Sequence, residues 1–193
     1  MQDDTAIVKP QQLEAIMRDT AALGFGIASE PLTGALLRTL AASKPQGRFL
    51  ELGTGTGVAT AWLLDGMDSA STLLTVDSDP AVVAIARGHL GHDARVRFHV
   101  SAGDVFLASL AGKGTFDLIF ADTWPGKYDH LEDALALLKR GGLYVIDDML
   151  PQPSWPDGHA AKVPALIRRL EAHPDLVLAK MGWATGIIIA AKR

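Results

Sequence analysis

The chain predicts an α/β fold of three layers, with a mostly parallel seven-stranded sheet between helices and an antiparallel hairpin strand at its C-terminal end. Three observations carry this. Short β-rich runs alternate with helical stretches from residue 47 onward, which implies parallel strands joined by crossover helices on both faces. The last two β-rich runs are separated by only a short connection, so they form a hairpin and one of them runs against the rest. The 193 residues, 48% hydrophobic and 21% charged, fit one domain of ordinary size with a well-filled core. The expected division is 1–46 as N-terminal helices on or near the active face and 47–193 as the core.

The elements follow in order. The first ~30 residues read as helical and partly apolar, with Leu13, Ile16 and Met17 spaced for one face. A second helix runs from about Pro31, a residue suited to a first helical turn, to Ala42. Gly47 opens a strand, Arg48 to Leu52, and a helix follows from Val58 to about Asp65. A strand covers Thr72 to Val76 and ends at Asp77. Asp79-Pro80 reads as an N-cap followed by a first-turn proline, starting a helix to about His89. Then come a strand Val96 to Val100, a short helix near Asp104, and a strand Phe116 to Ala121 that ends at Asp122. The spacing of Leu131, Leu135 and Leu138 predicts a helix from about Tyr128 to Lys139. Its acidic start and basic end complement the helix dipole, and Gly141-Gly142 stops it. A strand Leu143 to Ile146 ends at Asp147. A Pro-rich loop, a helix near Val163 to Ala172, and two strands, Leu176 to Lys180 and Gly186 to Ala191, complete the chain.

Composition narrows the function classes. The formal net charge of −4 and the lack of any run of four or more Lys/Arg argue against a nucleic-acid partner. With no cysteine, a disulfide framework, a thiolate nucleophile and a Cys-based zinc site are all excluded. Met1 to Asp4 is acidic and resembles no signal peptide, and no apolar stretch approaches a membrane span. The expectation is a soluble, cytoplasmic protein acting on a small molecule. Apolar residues on the N-terminal helices suggest a homodimer.

Ligands of such sheets bind beyond the carboxyl ends of the strands, and this chain places polar groups at each of them. After the first strand comes Gly53-x-Gly55-x-Gly57. Asp77 ends the second strand, Gly103-Asp104 follows the third, Asp122 ends the fourth and Asp147-Asp148 the fifth. A dinucleotide fingerprint would read G-x-G-x-x-G, but here the third glycine falls one residue early and Val58 stands in its place. The segment Glu51-Leu52-Gly53-Thr54-Gly55-Thr56-Gly57 instead resembles the first motif of class I methyltransferases, which have a Rossmann-like fold. The resemblance implies S-adenosylmethionine as methyl donor. It would be held by Glu51, Gly53, Thr54, Gly55 and Gly57, by Asp77 at the ribose, by Gly103 and Asp104 at the adenine, and by Ser78 and Asp122. Glycines let the backbone pass close to the ligand, and the free N–H groups opening the next helix suit a carboxylate.

The later segments, Phe120-Ala121-Asp122-Thr123-Trp124-Pro125-Gly126-Lys127-Tyr128 and Gly141-Gly142-Leu143-Tyr144-Val145-Ile146-Asp147-Asp148, resemble the small cation-dependent O-methyltransferases, the catechol and caffeoyl-CoA type. That likeness runs from about Glu30 to the C-terminus. It implies Asp122, Asp147 and Asp148 as ligands of a divalent cation, usually magnesium, beside the transferable methyl. If the fourth and fifth strands are neighbours, their ends lie about 4.8 Å apart, and all-oxygen ligands suit a hard cation. It also implies Trp124 as a wall of the substrate slot.

The chain departs from that pattern. Asp148 stands where the family has Asn, adding a negative charge. The family's catalytic lysine falls three residues after the first metal Asp. Pro125 is at that position here, and the nearest lysine is Lys127, either a general base brought in by a loop shift or a solvated loop residue. Asp122 either binds a cation or contacts cofactor or substrate directly. Trp124, Trp155 and Trp183 fall in loops near the active face, where they either line a flat aromatic slot or cover the core edge. Loop 151–158, stiffened by prolines, reads as a lid. The six histidines show no ligand pairing and read as surface or capping residues. Two other functions stay open, a nicotinamide-dependent oxidoreductase and a non-catalytic S-adenosylmethionine-binding module.

Overall fold

The computed structural model describes residues 7–193, and the acidic start from Met1 to Asp4 lies outside them. Helices α1 (Leu13–Leu23) and α2 (Pro31–Ala42) precede β1 (Arg48–Leu52). There follow α3 (Val58–Gly66), β2 (Thr72–Asp77), α4 (Pro80–Leu90), β3 (Val96–Val100), α5 (Gly103–Leu110) and β4 (Phe116–Ala121). Then come α6 (Leu131–Ala136), β5 (Leu138–Ile146), α7 (His159–Ala172), β6 (Leu176–Met181) and β7 (Ile187–Lys192). The seven strands make one sheet in the order β3-β2-β1-β4-β5-β7-β6. β1 to β5 pair in parallel, and β7 runs antiparallel to both β5 and β6. The expected hairpin is therefore present and β7 is the strand that runs against the rest.

Side chains alternate along each strand, so the sheet buries two faces. Phe49, Leu118, Phe120 and Val145 join one cluster with Ile16, Leu37, Trp62 and Leu90 from α1 to α4. Leu50, Ile119, Tyr144 and Ile146 join another with Phe106, Leu135 and Leu166 from α5 to α7. Helices on both faces of one sheet make the three layers. Burial of each such large side chain contributes about 1.5–3 kcal/mol. On the first face α2 approaches α3 closely because Gly34 meets the Trp62 indole, where a Cβ would collide.

The chain order reverses at β1, with β2 and β3 on one side and β4 and β5 on the other. A crevice opens at such a switch point, beyond the strand ends. Leu52 pairs with Ala121, and the Asp122 amide donates to the Leu52 carbonyl at 2.9 Å. The Gly-rich turn and Asp122 are thereby neighbours at the mouth of the crevice.

One element differs from its sequence pattern. The helix expected over Tyr128 to Lys139 is confined to α6, and β5 begins at Leu138. Leu131, Leu135 and Leu138 are all buried in the same cluster, so the spacing correctly reported burial while the chain changed conformation. Leu138 pairs with Phe116 and Leu143 with Leu118, so the strand bulges between them. Gly141 sits in that bulge at φ +74°, and Lys139 donates to the Asp117 carboxylate at 2.8 and 2.9 Å rather than capping a helix. α7 starts at His159, a turn earlier than expected. Among the described residues no helix is long and apolar enough to cross a membrane.

Candidate active site

The Gly-rich turn leaves β1 in a conformation that side chains resist. Gly53 has φ +100°, and a Cβ there would stand 3.1 Å from the Asp122 carbonyl oxygen. Gly57, the N-cap of α3, has φ +93°, and its Cβ would meet the Ala86 Cβ at 2.8 Å. The turn is held by its neighbours. The Gly53 amide donates to the Val76 carbonyl at 2.9 Å, and the Gly55 amide to Asp77 Oδ2 at 2.9 Å. The Thr20 hydroxyl lies 2.7 Å from that of Thr56, tying α1 to the turn.

Two adjoining cavities follow the crevice. One, about 160 Å³, is bounded by Gly53, Thr54, Gly55, the start of α3, Asp77 and Asp122, and by Phe25, Ile27, Ala28 and Ser29 from the α1–α2 connection. The other, about 170 Å³, is bounded by Gly53, Asp77, Ser78, Gly103, Asp104 and Pro125. Gly53, Asp77 and Thr123 border both. Of the residues expected at the cofactor, these cavities gather Gly53, Thr54, Gly55, Asp77, Ser78, Gly103, Asp104 and Asp122. The donor set fits S-adenosylmethionine. Gly53 leaves the cradle clear of a side chain, free N–H groups of α3 suit a carboxylate, and a carboxylate at Asp77 suits a ribose diol.

Glu51 and Gly57 border neither cavity. Glu51 is fully buried, and its Oε2 accepts from Thr60 Oγ1 at 2.5 Å and from Thr75 Oγ1 at 2.6 Å. Burial is the main cause that pushes its carboxyl up to about 7, against the two threonine hydrogen bonds. Its threonine hydrogen bonds tie β1 to α3 and β2 beneath the turn. Gly57 serves the close approach of α3 to α4.

At the ends of β4 and β5 the chain gathers Asp122, Asp147, Asp148 and Lys127. Ala121 pairs with Ile146, so Asp122 and Asp147 leave the sheet abreast. Burial, and then the Asp147 charge, push the Asp122 carboxyl well above the usual carboxylate range. Burial likewise raises Asp147, opposed by its hydrogen bonds. Asp147 Oδ1 accepts from the Thr185 hydroxyl, and from the Asp148 amide at 2.7 Å. Ser29 Oγ donates to Asp122 Oδ2 at 3.2 Å. Lys127 is no solvated loop residue, because it is only 2% exposed. Burial lowers its pKa, opposed by the charges of Asp122, Asp148 and Asp147. The ammonium also stands 5.3 Å from the Tyr128 ring centroid.

The expected divalent-cation ligands do not fit an ion in this arrangement. Among the described residues no three acidic or histidine side chains are grouped as a cation site. Asp147 and Asp122 each have an oxygen engaged by a hydroxyl, and the charges of all three carboxylates act on the buried lysine.

Trp124 and Trp155 border neither cavity. They stand instead in an aromatic cluster centred on His159, which is 5% exposed. Trp155 stacks on His159 with centroids 4.3 Å apart and 10° between planes. Trp124 meets His159 and Tyr128 edge-on at 6.0 and 6.2 Å, and the Lys162 ammonium lies 4.6 Å over the Trp124 ring. The Tyr128 hydroxyl is 2.8 Å from His159 Nε2. Burial lowers the His159 pKa and pushes the Tyr128 phenol up to about 12. With the imidazole neutral, the Tyr128 hydroxyl donates a hydrogen bond to His159 Nε2. Trp183 is half-buried against the first core face.

Sequence reasoning missed Ser29, Phe25, Thr185 and His159. The first three carry no motif. His159 was read as a surface or capping residue because its burial depends on α7 starting a turn early.

The comparisons agree with this geometry. Residues 50–149 match the family described as "Methyltransferase domain", half of the chain. A protein assigned as an O-methyltransferase in Mycobacterium ulcerans is 29% identical over 186 residues, 91% of this chain and 82% of its own length. One from Mycobacterium marinum is 33% identical over 135 residues, 67% of this chain and 59% of its own. The O-methyltransferase from Bacillus cereus, solved with SAH, superposes with a TM-score of 0.86 at 22% identity, over 99% of this chain and 94% of its own. The cofactor-bound protein Rv0187 from MTB superposes with a TM-score of 0.86 at 28% identity, over 99% and 94%. Fold and crevice thus define a class I methyltransferase. The chain belongs to the methyltransferase-domain family, and it is an S-adenosylmethionine-dependent enzyme of the O-methyltransferase type. The nicotinamide alternative falls with that match.

Proposed function

We propose that this chain methylates a hydroxyl of a small aromatic molecule. The observation that carries the reading is the joined crevice itself, walled by the Gly-rich turn and Asp77 on one side and reaching Asp122, whose charge acts on buried Lys127. Gly53 to Gly55 and the start of α3 take the methionine end, Asp77 the ribose, and Ser78, Gly103 and Asp104 the adenine. S-adenosylmethionine bound there supplies the methyl, its sulfonium leaving as the neutral thioether. Lys127 in its amine form takes the acceptor hydroxyl's proton as the oxygen attacks, and the ammonium so formed is stabilised by Asp122, Asp147 and Asp148. Asp122 and Lys127 are the catalytic residues of this reading. Trp124, exposed beside Thr123 of the crevice and backed by the His159 cluster, offers the apolar ring on which an aromatic acceptor would rest.

The test is calorimetric titration of S-adenosylhomocysteine, followed by a radiolabelled-donor assay over a panel of catechols and phenols. Asp77→Ala should weaken S-adenosylhomocysteine binding at least tenfold, because a buried diol contact is worth about 1.5–3 kcal/mol. Unchanged affinity would sink the cofactor assignment. Transfer confined to amines would sink the hydroxyl reading.

A further inference from the structure

We propose that Thr54, Thr75 and Glu51 form a buried hydroxyl relay beneath the cofactor turn, so that S-adenosylmethionine binds the form with Glu51 ionised and its binding releases the proton that Glu51 otherwise holds. The inference rests on the proposed placement of the methionine end at Gly53 to Gly55. Glu51 and Thr75 act through Thr54 as positioning residues.

Strand register builds the relay. Glu51 of β1 pairs with Thr75 of β2 and with Phe120 of β4. Glu51, Thr75 and Thr60 of α3 are fully buried, and Thr54 is nearly so. The Thr60 and Thr75 hydroxyls lie 2.5 and 2.6 Å from Glu51 Oε2, and the Thr75 hydroxyl lies 2.6 Å from that of Thr54. Thr54 borders the 160 Å³ cavity beside Gly53 and Gly55. The relay therefore runs without a break from a buried carboxyl to the wall of the cofactor cavity.

Counting protons gives the relay a direction. A threonine hydroxyl has one proton, and a carboxylate only accepts. With Glu51 ionised, Thr75 donates to Oε2, so the contact between Thr54 and Thr75 uses the Thr54 proton. Thr54 is then left with lone pairs alone, an acceptor beside the cavity. A protonated Glu51 must place its own proton. On Oε1 that proton would be buried with no acceptor, because this oxygen has no hydrogen-bond partner among the described residues. On Oε2 and directed at Thr75, it reverses both bonds and frees the Thr54 proton. Directed at Thr60 instead, it would leave Thr54 unchanged, and the Thr75 variants below separate the two. S-adenosylmethionine carries a sulfonium, an ammonium and a carboxylate, a net positive charge. An accepting Thr54 suits the ammonium, and an ionised Glu51 beneath the turn attracts the net charge. Of the groups around Glu51, Thr60 and Thr75 favour its ionisation, while burial and the Asp77 charge oppose it. Burial dominates and holds the carboxyl at about 7, so near neutral pH there is a proton to release.

The experiment is calorimetric titration of the full chain with S-adenosylmethionine at about pH 7, in phosphate and in Tris. These buffers differ in ionisation enthalpy, so a released proton appears as a difference in heat. Wild type should release roughly half a proton, the fraction set by a carboxyl that titrates near that pH. Glu51→Gln always has an amide proton to give Thr75 and should release none. Thr75→Val should lose the release, and Thr75→Ser should restore it. Relative to Glu51→Gln, wild-type affinity should rise about tenfold between about pH 6 and about pH 8, as the ionised fraction grows. Binding with equal heats in the two buffers would overturn the proposal. So would a release that persists in Glu51→Gln or survives in Thr75→Val. If Glu51→Gln does not fold, the two Thr75 variants still decide. Adenosine, which lacks the methionine end, should bind without release. The same release with adenosine would sink the placement of the methionine end, and the relay's role with it, whereas S-adenosylmethionine binding without release sinks the proposal alone.

Discussion

Glu51, the first residue of the Gly-rich motif, is buried beneath the turn rather than lining the crevice. Its carboxyl lies under the Gly-rich turn, holds two threonine hydroxyls on Oε2 and leaves Oε1 without a partner. Burial, with a smaller contribution from the Asp77 charge, holds its folded pKa at about 7. Unfolded, a glutamate titrates near pH 4.3. Between those values the folded chain binds more protons than the unfolded one, so this carboxyl makes stability fall as pH rises. The expected loss is roughly 3 kcal/mol on crossing the whole window from acid to slightly alkaline pH. Glu51→Gln is neutral throughout, so urea unfolding at about pH 5 and about pH 8 should show a flatter dependence in the variant. Asp122 and Asp147 add a dependence of the same sign, so the difference between the two slopes is what reads Glu51. Equal slopes would mean that Glu51 titrates normally. The motif's spacing reveals that an acid belongs at this position. It does not reveal whether the acid faces the ligand or supports the turn, because both rest on the strand's alternation of faces and on which residues of β2 lie opposite.

At the scale of elements, two glycines one helix apart in packing make a matched test. Gly57 is left-handed and presses on Ala86 of α4, while Gly88, inside α4, has open space where a Cβ would go. Gly57→Ala should cost about 1–2 kcal/mol or more and loosen the cofactor turn. Gly88→Ala should stabilise by about 0.5–1 kcal/mol, since alanine is the better helix former. Thermal unfolding of the pair checks both signs, and a stabilising Gly57→Ala would contradict the described turn. Most elements were legible in the sequence for a related reason, since apolar alternation and caps such as Asp79-Pro80 are local signals. The Asp79 side chain does accept from the Ala81 amide, at 2.8 Å. The stretch from Tyr128 to Lys139 was not legible. Its leucines keep helical spacing to Leu138, but Leu138 is recruited by Phe116 of β4, a pairing decided across 22 residues of chain. The same non-locality hid Lys127's burial, which depends on Tyr144 and Leu52 holding the Gly126 turn.

The whole molecule adds what neither motif nor element contains, a cover for the crevice. The sheet supplies Gly53, Asp77 and Asp122 from three strand ends, and these face outward unless something closes over them. The α1–α2 connection does so. Phe25 lies against Gly55, Ser29 donates to Asp122 across 93 residues of sequence, and Ile27, 62% exposed, borders the same cavity. An apolar residue that exposed beside a ligand cavity has surface left to bury when the cavity fills. Binding of S-adenosylhomocysteine should therefore slow amide hydrogen exchange in residues 25–29 together with 53–57. The β6–β7 edge, remote in the strand order, should be unaffected. Ser29→Ala, which removes only the hydroxyl on Asp122, should lower turnover more than it lowers S-adenosylhomocysteine affinity, if Asp122 serves the acceptor as proposed. If exchange at 25–29 is the same with and without ligand, the connection is an inert link between helices. If affinity and turnover fall together in Ser29→Ala, Asp122 serves the cofactor alone and the acceptor must be placed elsewhere.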